Sequence, residues 1–216
     1  MKQDHIYLSG EERGGECSVV LVTGIPAAGK SVLAEKLSED LGIPWFSKDS
    51  IKEELYDTIG FMSRDEKVKL GTAATSILYY LAEQMMQCRR PFILENNFEV
   101  SSRQGLAALL SRYGYRALTL RLTGDYARIY QRFVQRETSG GRHPGHVTNS
   151  SYSKENGAAP SSTVTLEQYI AGIRSREMDS FCIGGPVITV DTTDFSKVDF
   201  GAVCREISDW MECGLG

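Results

Sequence analysis

The sequence predicts a three-layer α/β fold, with five parallel strands covered by helices on both faces. Three observations carry this. Short apolar, β-branched runs alternate with longer segments of helical periodicity from Ser18 to Met211. The strand runs are almost continuously apolar, as in strands buried on both faces. A glycine-bounded turn joins the first strand to the first helix, at the sheet edge where open α/β folds hold ligands.

Ser18–Val22 reads as the first strand, and Lys30–Leu41 as a helix with Leu33, Leu37 and Leu41 on one face. Pro44–Phe46 is a second strand and Ser50–Asp57 a short helix opened by the S-x-x-E pattern of Ser50 and Glu53. Glu66–Cys88 forms a long helix with a stripe of Ile77, Leu78, Leu81 and Met85. Pro91–Leu94, Tyr115–Leu122 and Pro186–Val190 are the remaining strands. Ser101–Tyr113, Asp125–Arg136, Thr165–Phe181 and Phe195–Met211 are helices, with Asp125 as an N-cap. Tyr79, Tyr80 and Phe92 are assigned to the core. Residues 1–16 read as a polar tail ahead of a single domain, 17–216. The stretch 138–163, rich in Gly, Ser, Asn and Pro, is a loop long enough to be a flexible lid.

The chain has 216 residues, 41% of them hydrophobic, and a net charge of −4. It is long enough to build a core without staples. A mildly acidic balance argues against general nucleic-acid binding, which needs clustered cations. The five cysteines never form a C-x-x-C pair, so no zinc site is indicated. No run has the length of a membrane span and no leader pattern opens the sequence, so the expectation is a cytoplasmic protein.

Gly24-Ile25-Pro26-Ala27-Ala28-Gly29-Lys30-Ser31 matches G-x-x-x-x-G-K-[ST]. In such a P-loop the backbone N–H groups surround phosphate oxygens, the lysine reaches the β- and γ-phosphates, and the hydroxyl takes a place on Mg²⁺. The helix that follows adds its positive end. Arg128, Arg132 and Arg136 recur at i, i+4 and i+8 on one helical face, followed by Arg142. Such a row is either an anion site or a solvated basic stripe.

Five stretches, GIPAAGKS, SKDSIKEEL, PFILENNF, the arginine-rich segment running into RHPGH, and VITVDTTDF, resemble the P-loop kinases grouped with polynucleotide 5′-kinase, the zeta toxins and chloramphenicol phosphotransferase. The resemblance implies strand order 2-3-1-4-5. Many relatives carry Gly where this chain has Ala27, a residue expected here at negative φ.

By that resemblance Lys30, Asp49 and Arg136 are catalytic, with Asp49 accepting the proton of the acceptor hydroxyl; the alternative for Asp49 is a helix cap. Nucleotide contacts fall to Gly24, Ala27, Ala28, Gly29, Lys30, Ser31, Val32, Arg132, Arg136 and Thr192. Arg132 stacks on the base and Arg136 meets phosphate. Asp49, Lys52, Glu95, Asn97 and Arg142 face the acceptor, although Lys52 reads equally as a solvated lysine. Glu95 either holds a Mg²⁺-bound water or bonds nearby backbone. Asp191–Asp194 borders the nucleobase or forms an ordinary turn. His143 and His146 are lid or anion contacts rather than metal ligands.

The resulting expectation is an ATP- and Mg²⁺-dependent kinase acting on a hydroxyl of a small molecule. A polynucleotide or tRNA-linked kinase is the alternative among enzymes. An NTP-binding regulatory module without an acceptor is the alternative of another class.

Overall fold

The structure, a computed structural model, describes residues 17–159 and 164–213. The expected N-terminal tail and residues 160–163 of the expected lid lie outside the described residues. In chain order the elements are β1 (Ser18–Gly24), α1 (Lys30–Leu41), β2 (Trp45–Ser47), α2 (Lys48–Ile59), α3 (Arg64–Gln87), β3 (Phe92–Glu95), α4 (Val100–Tyr113) and β4 (Arg116–Thr123). There follow α5 (Tyr126–Thr138), α6 (Pro144–Val147), β5 (Tyr152–Ser153), β6 (Gly157–Ala158), α7 (Leu166–Ser175), β7 (Val187–Asp191), a 3-10 turn (Phe195–Lys197) and α8 (Phe200–Glu212).

The main sheet has the order β2-β3-β1-β4-β7, and every pairing in it is parallel. This is the expected order. Its fifth strand is β7 because β5 and β6 pair with each other, antiparallel, inside the lid segment. β1 is buried along its whole length, and its period of two divides the core. Val20 and Val22 pack with Leu33, Leu37, Leu118, Leu120 and Ile207 on one face. Val19 and Leu21 pack with Leu78, Met86, Phe92, Leu94 and Phe98 on the other. β1 lies between β3 and β4, where chain connections leave in opposite directions. The crevice at its carboxyl end is therefore the ligand position of an open parallel sheet.

Several local readings are corrected. α2 starts at Lys48 and its cap is Ser47, whose Oγ accepts from the Ser50 N–H at 3.4 Å; Ser50 is inside the helix. The buried face of α3 is Ala74, Leu78, Ala82 and Met86, one step round from the expected stripe. The two alanines allow a close approach to the sheet, which leaves Tyr80 60% exposed rather than in the core. The last helix begins at Phe200 under an Asp199 cap, while Asp194 caps only the 3-10 turn.

The described part of the lid is a folded lobe rather than a loop. α6 and the β5–β6 hairpin sit on α2, around the fully buried Tyr56. Tyr56, Phe61 and Tyr152 form a small core of their own, with Tyr56–Phe61 and Tyr56–Tyr152 ring centroids 5.2 and 6.5 Å apart. Polar ties surround it. His143 Nε2 and Tyr152 Oη meet Asp57 Oδ1 at 2.8 and 2.6 Å, and His146 Nε2 meets Glu53 Oε1 at 3.0 Å. Lys67 Nζ donates to the His146 carbonyl at 3.0 Å and to the Thr148 carbonyl. The Gly/Ser/Asn composition hid these anchors, which come from α2 and α3.

Tyr56→Ala is expected to destabilise the protein by about 3 kcal/mol, the usual scale for emptying a buried aromatic site. It should also expose the lid to protease. Denaturant unfolding and limited proteolysis check this; a variant with wild-type cleavage in 138–163 contradicts the role of Tyr56 as the lid's seat.

Candidate functional site

The P-loop leaves β1 at Gly24 and enters α1 at Lys30. Two glycines are dictated by sterics. At Gly24 a Cβ would lie 2.3 Å from the Leu122 carbonyl oxygen, and at Gly29, with φ 94°, it would lie 2.2 Å from the Phe195 ring. Ala27 has φ 65°, not the expected negative value. An L-residue in the left-handed region costs roughly 1–2 kcal/mol. Such strain persists only where the surroundings fix the chain, and here Tyr169 Oη from α7 bonds the Pro26 carbonyl at 2.6 Å.

A cleft of about 320 Å³ opens at the end of β1. It brings together Ala27, Gly29, Lys30, Ser31 and Val32 from the loop, Asp49 from the first turn of α2, Glu95 and Asn97 after β3, Arg132 and Arg136 from α5, and Arg142 from the lid. Most of the residues singled out in the sequence thus converge. Four do not line it. Gly24 and Ala28 are buried behind it, with the Ala28 N–H bonded to the Ile25 carbonyl at 3.2 Å. Thr192 is fully buried, its hydroxyl donating to the Thr123 carbonyl at 3.0 Å, so it is a strand-end tie rather than a cleft residue. Lys52 points into a neighbouring groove.

Lys30 is buried, and its Nζ donates to the Ile25 carbonyl at 3.0 Å. Burial pulls its pKa down to about 8, against the opposing pull of Glu95 and Asp49. Glu95 is pushed above the usual carboxylate range by burial, with the Lys30 charge acting the other way. Its Oε2 accepts from Ser47 Oγ at 2.5 Å and from Ser31 Oγ at 3.4 Å. Glu95 therefore bonds side-chain hydroxyls, not backbone, and gathers an oxygen cluster at the loop's hydroxyl. Such oxygens suit a hard divalent cation that takes its other ligands from phosphate and water. Among the described residues no cluster of three or more His, Cys, Asp or Glu forms a protein-only metal site. His143 and His146 are lid anchors.

Asp49 makes no hydrogen bond among the described residues. Burial raises its pKa, but the charges of His146, Lys52, Arg142 and Lys30 outweigh it and hold the carboxyl below its ordinary range. Burial itself keeps His146 low, so the ring helps only in the acid range where Asp49 would titrate. Asp49 is an ionised, acceptor-only group at neutral pH.

Arg132 and Arg136 enter the cleft, while Arg128 remains exposed. Burial depresses both guanidiniums. Arg132 Nη1 donates to the Thr193 carbonyl at 3.5 Å, but its Nε and Nη2, and Nε of Arg136, are buried with no partner among the described residues. Buried N–H groups left unpaired are expensive, so these two guanidiniums keep an unmet demand for negative charge beside the cleft. Arg142 is paired with Glu137. Sequence reasoning missed Ser47, Tyr169 and Lys67. Ser47 was detectable as a serine just before a charged helical turn; the other two act over long sequence separations and left no local signal.

A family model described as an AAA domain matches residues 19–154, from β1 into the lid as far as β5. Among solved structures, a candidate kinase from Chloroflexus aurantiacus J-10-fl aligns with a TM-score of 0.74 and 27% identity, over 90% of this chain and 98% of that one. An unliganded sugar kinase from Janibacter sp. HTCC2649 aligns with a TM-score of 0.53 at 11% identity, over 91% and 95% of the two chains, which shows a shared fold. No curated protein matches the chain.

The depressed Lys30 implies a stability signature. Its folded pKa lies below the unfolded value of 10.5, so the folded state binds fewer protons between about pH 8 and 10.5. Stability rises with pH through that window, and the penalty is complete below it. The shift corresponds to about 3 kcal/mol. That figure already contains the attraction to Glu95 and Asp49, so Lys30→Met should be more stable than wild type at pH 7, by up to about 3 kcal/mol. The gain should shrink by pH 10. Denaturant unfolding at both pH values checks this; a variant less stable at pH 7 contradicts it.

Proposed function

This chain belongs to the AAA-domain family of P-loop proteins, and from that premise we propose that it is a kinase transferring the γ-phosphoryl group of ATP to a hydroxyl of a small molecule. The single observation that supports this best is Asp49, an ionised, unbonded carboxylate facing the same cleft as Lys30 and two arginines with unpaired N–H groups. A regulatory nucleotide switch has no use for such a base. Lys30 meets the β- and γ-phosphates; Arg136 meets the phosphates from the other side, and Arg132 lies flat against the base. The unpaired guanidinium N–H groups fit a triphosphate, and the Ser31–Ser47–Glu95 oxygens fit Mg²⁺. When bound, Mg²⁺ neutralises phosphate charge and fixes phosphate geometry. The protein's own part is positioning and charge stabilisation. Asp49 aims the acceptor oxygen and takes its proton. Its low pKa suits a transition state with little bond formation to the nucleophile, in which the proton leaves late.

Asp49→Asn should leave ATP affinity within about twofold and lower transfer by about a hundred- to ten-thousandfold, the range for loss of a general base. In wild type, the rate should show no acid limb from Asp49 in the neutral range, because the surrounding cations hold its pKa below the ordinary carboxylate value. Nucleotide titration and a transfer screen against a metabolite library, over a pH series, test both. Wild-type transfer by Asp49→Asn would remove the base from this reading and direct attention to Glu95.

A further inference from the structure

A second groove, of about 490 Å³, lies on another side of α2. It runs between α2, α3 and α4. One turn of α2 divides the two: Asp49 faces the cleft, while Lys48 and Lys52, four residues apart, face the groove. Arg64 and Lys67 from α3 complete a four-cation wall. No acidic residue lines the groove at this end, although Asp49 attracts Lys52 from the cleft side of the helix. Neither Lys48 nor Lys52 has an ion-pair partner among the described residues, and Lys52 contacts only the Tyr56 ring face, 5.5 Å from its centroid. Arg64 bonds the neutral Asn149 at 2.7 Å, and Lys67 bonds carbonyl oxygens. The one acidic residue lining the groove, Glu99, sits at the far end and pairs with Arg176 at 3.5 Å.

We infer that this groove holds the acceptor, and that the acceptor carries an anionic group, a phosphate or a carboxylate, bound by Lys48, Lys52 and Arg64 while its hydroxyl reaches Asp49. This rests on the kinase reading above and specifies its substrate class. Like charges gathered on two facing helices repel unless an anion lies between them. Burial and neighbouring cations lower the pKa of both Lys52 and Lys67, the latter to about 7, and the attraction of Asp49 for Lys52 and of Glu137 for Lys67 does not offset this. The rest of the lining indicates a small polar molecule. Thr72, Thr75, Ser101 and Ser102 offer hydroxyls. A single aromatic, Tyr79, lines the groove, and its own hydroxyl is bonded to the Ser102 carbonyl at 2.9 Å. Single-stranded nucleic acids need successive aromatic platforms, which this groove lacks.

The test uses the full chain and chemically matched probes: ribitol, ribonate and ribitol 5-phosphate, with a 5′-hydroxyl oligonucleotide as a fourth. Binding is measured calorimetrically with the P-loop saturated by ADP and Mg²⁺, and transfer is measured with ATP and Mg²⁺. At least one of the two anionic probes should bind at least tenfold more tightly than ribitol, and their relative affinity identifies phosphate or carboxylate. The Lys48→Met/Lys52→Met double variant should lose that advantage while keeping wild-type ADP affinity, and the charge-keeping Lys48→Arg/Lys52→Arg double variant should retain most of it. Equal binding of ribitol and both anions, or an advantage that survives the double substitution, overturns the anion site. Preferred binding of the oligonucleotide, weakening steeply with salt, overturns the small-molecule class. If anion binding behaves as expected but no probe is phosphorylated, the groove assignment stands and the kinase reading is what fails for these compounds.

Discussion

Lys30 is held charged in a place that disfavours charge, at the buried mouth of β1, and most of the cleft follows from how that is tolerated. The ammonium is stabilised by the Ile25 carbonyl and by Glu95, itself buried at the parallel position on β3. Each group is shifted toward its neutral form by burial and back toward its charged form by the other. Glu95 also accepts from Ser31, the residue after Lys30, and from Ser47, the cap of α2. One carboxylate thus ties the phosphate loop to the turn that carries Asp49. The position of Lys30 relative to the turn that carries Asp49 is bridged through Glu95.

The same logic explains why the cleft is a poor place to seek stability. Lys30, Asp49, Glu95, Arg132 and Arg136 are all partly or wholly removed from water around one crevice. Ala27 adds a left-handed backbone. A protein retains such a combination only where the rest of the fold outweighs it. The fully buried β1 and the two apolar layers on either side of the sheet supply that excess. An anion bound beside Arg132 and Arg136 would offset part of this cost, coupling its binding to the stability of the fold.

What the sequence revealed and what it concealed divide along physical lines. Elements with continuous apolar runs or strict periodicity, such as β1 and α1, are local in origin, and their bounds follow from the residues. The P-loop and the α5 arginines were legible because their spacing is set by phosphate chemistry and helix geometry. The lid was misread because its order is imported. Tyr152, His143 and His146 carry little pattern, and their partners Asp57, Glu53 and Tyr56 lie on α2, about ninety residues away in several cases. Tyr80 was misplaced because the helical period alone cannot tell which of two adjacent stripes faces the sheet. Alanines at 74 and 82 decide it by allowing close contact. Thr192 was placed at the nucleotide from position in a motif, although its hydroxyl serves the β4–β7 edge.

α2 is where these threads meet. Asp49 faces the cleft, Lys48 and Lys52 the groove, and Glu53, Tyr56 and Asp57 hold the lid. A twelve-residue helix has about three faces to offer, and here each has a separate task. The lid cannot lift without exposing Tyr56 and freeing two histidines and Lys67 from their partners. Each such polar tie is worth about 1 kcal/mol, and the ring burial more. Lys67 is the sensitive member: its hold on the His146 and Thr148 carbonyls depends on staying protonated, and the cations of the groove work against that. An anion beside Lys52 and Arg64 lowers that repulsion and strengthens the ammonium's grip on the lid. By linkage, an anion in the groove would tighten the lid, and the lid in this position would favour the filled groove. Arg142, carried by the lid into the cleft, is paired there with Glu137 of α5, so the lid and the arginine helix meet at the same crevice.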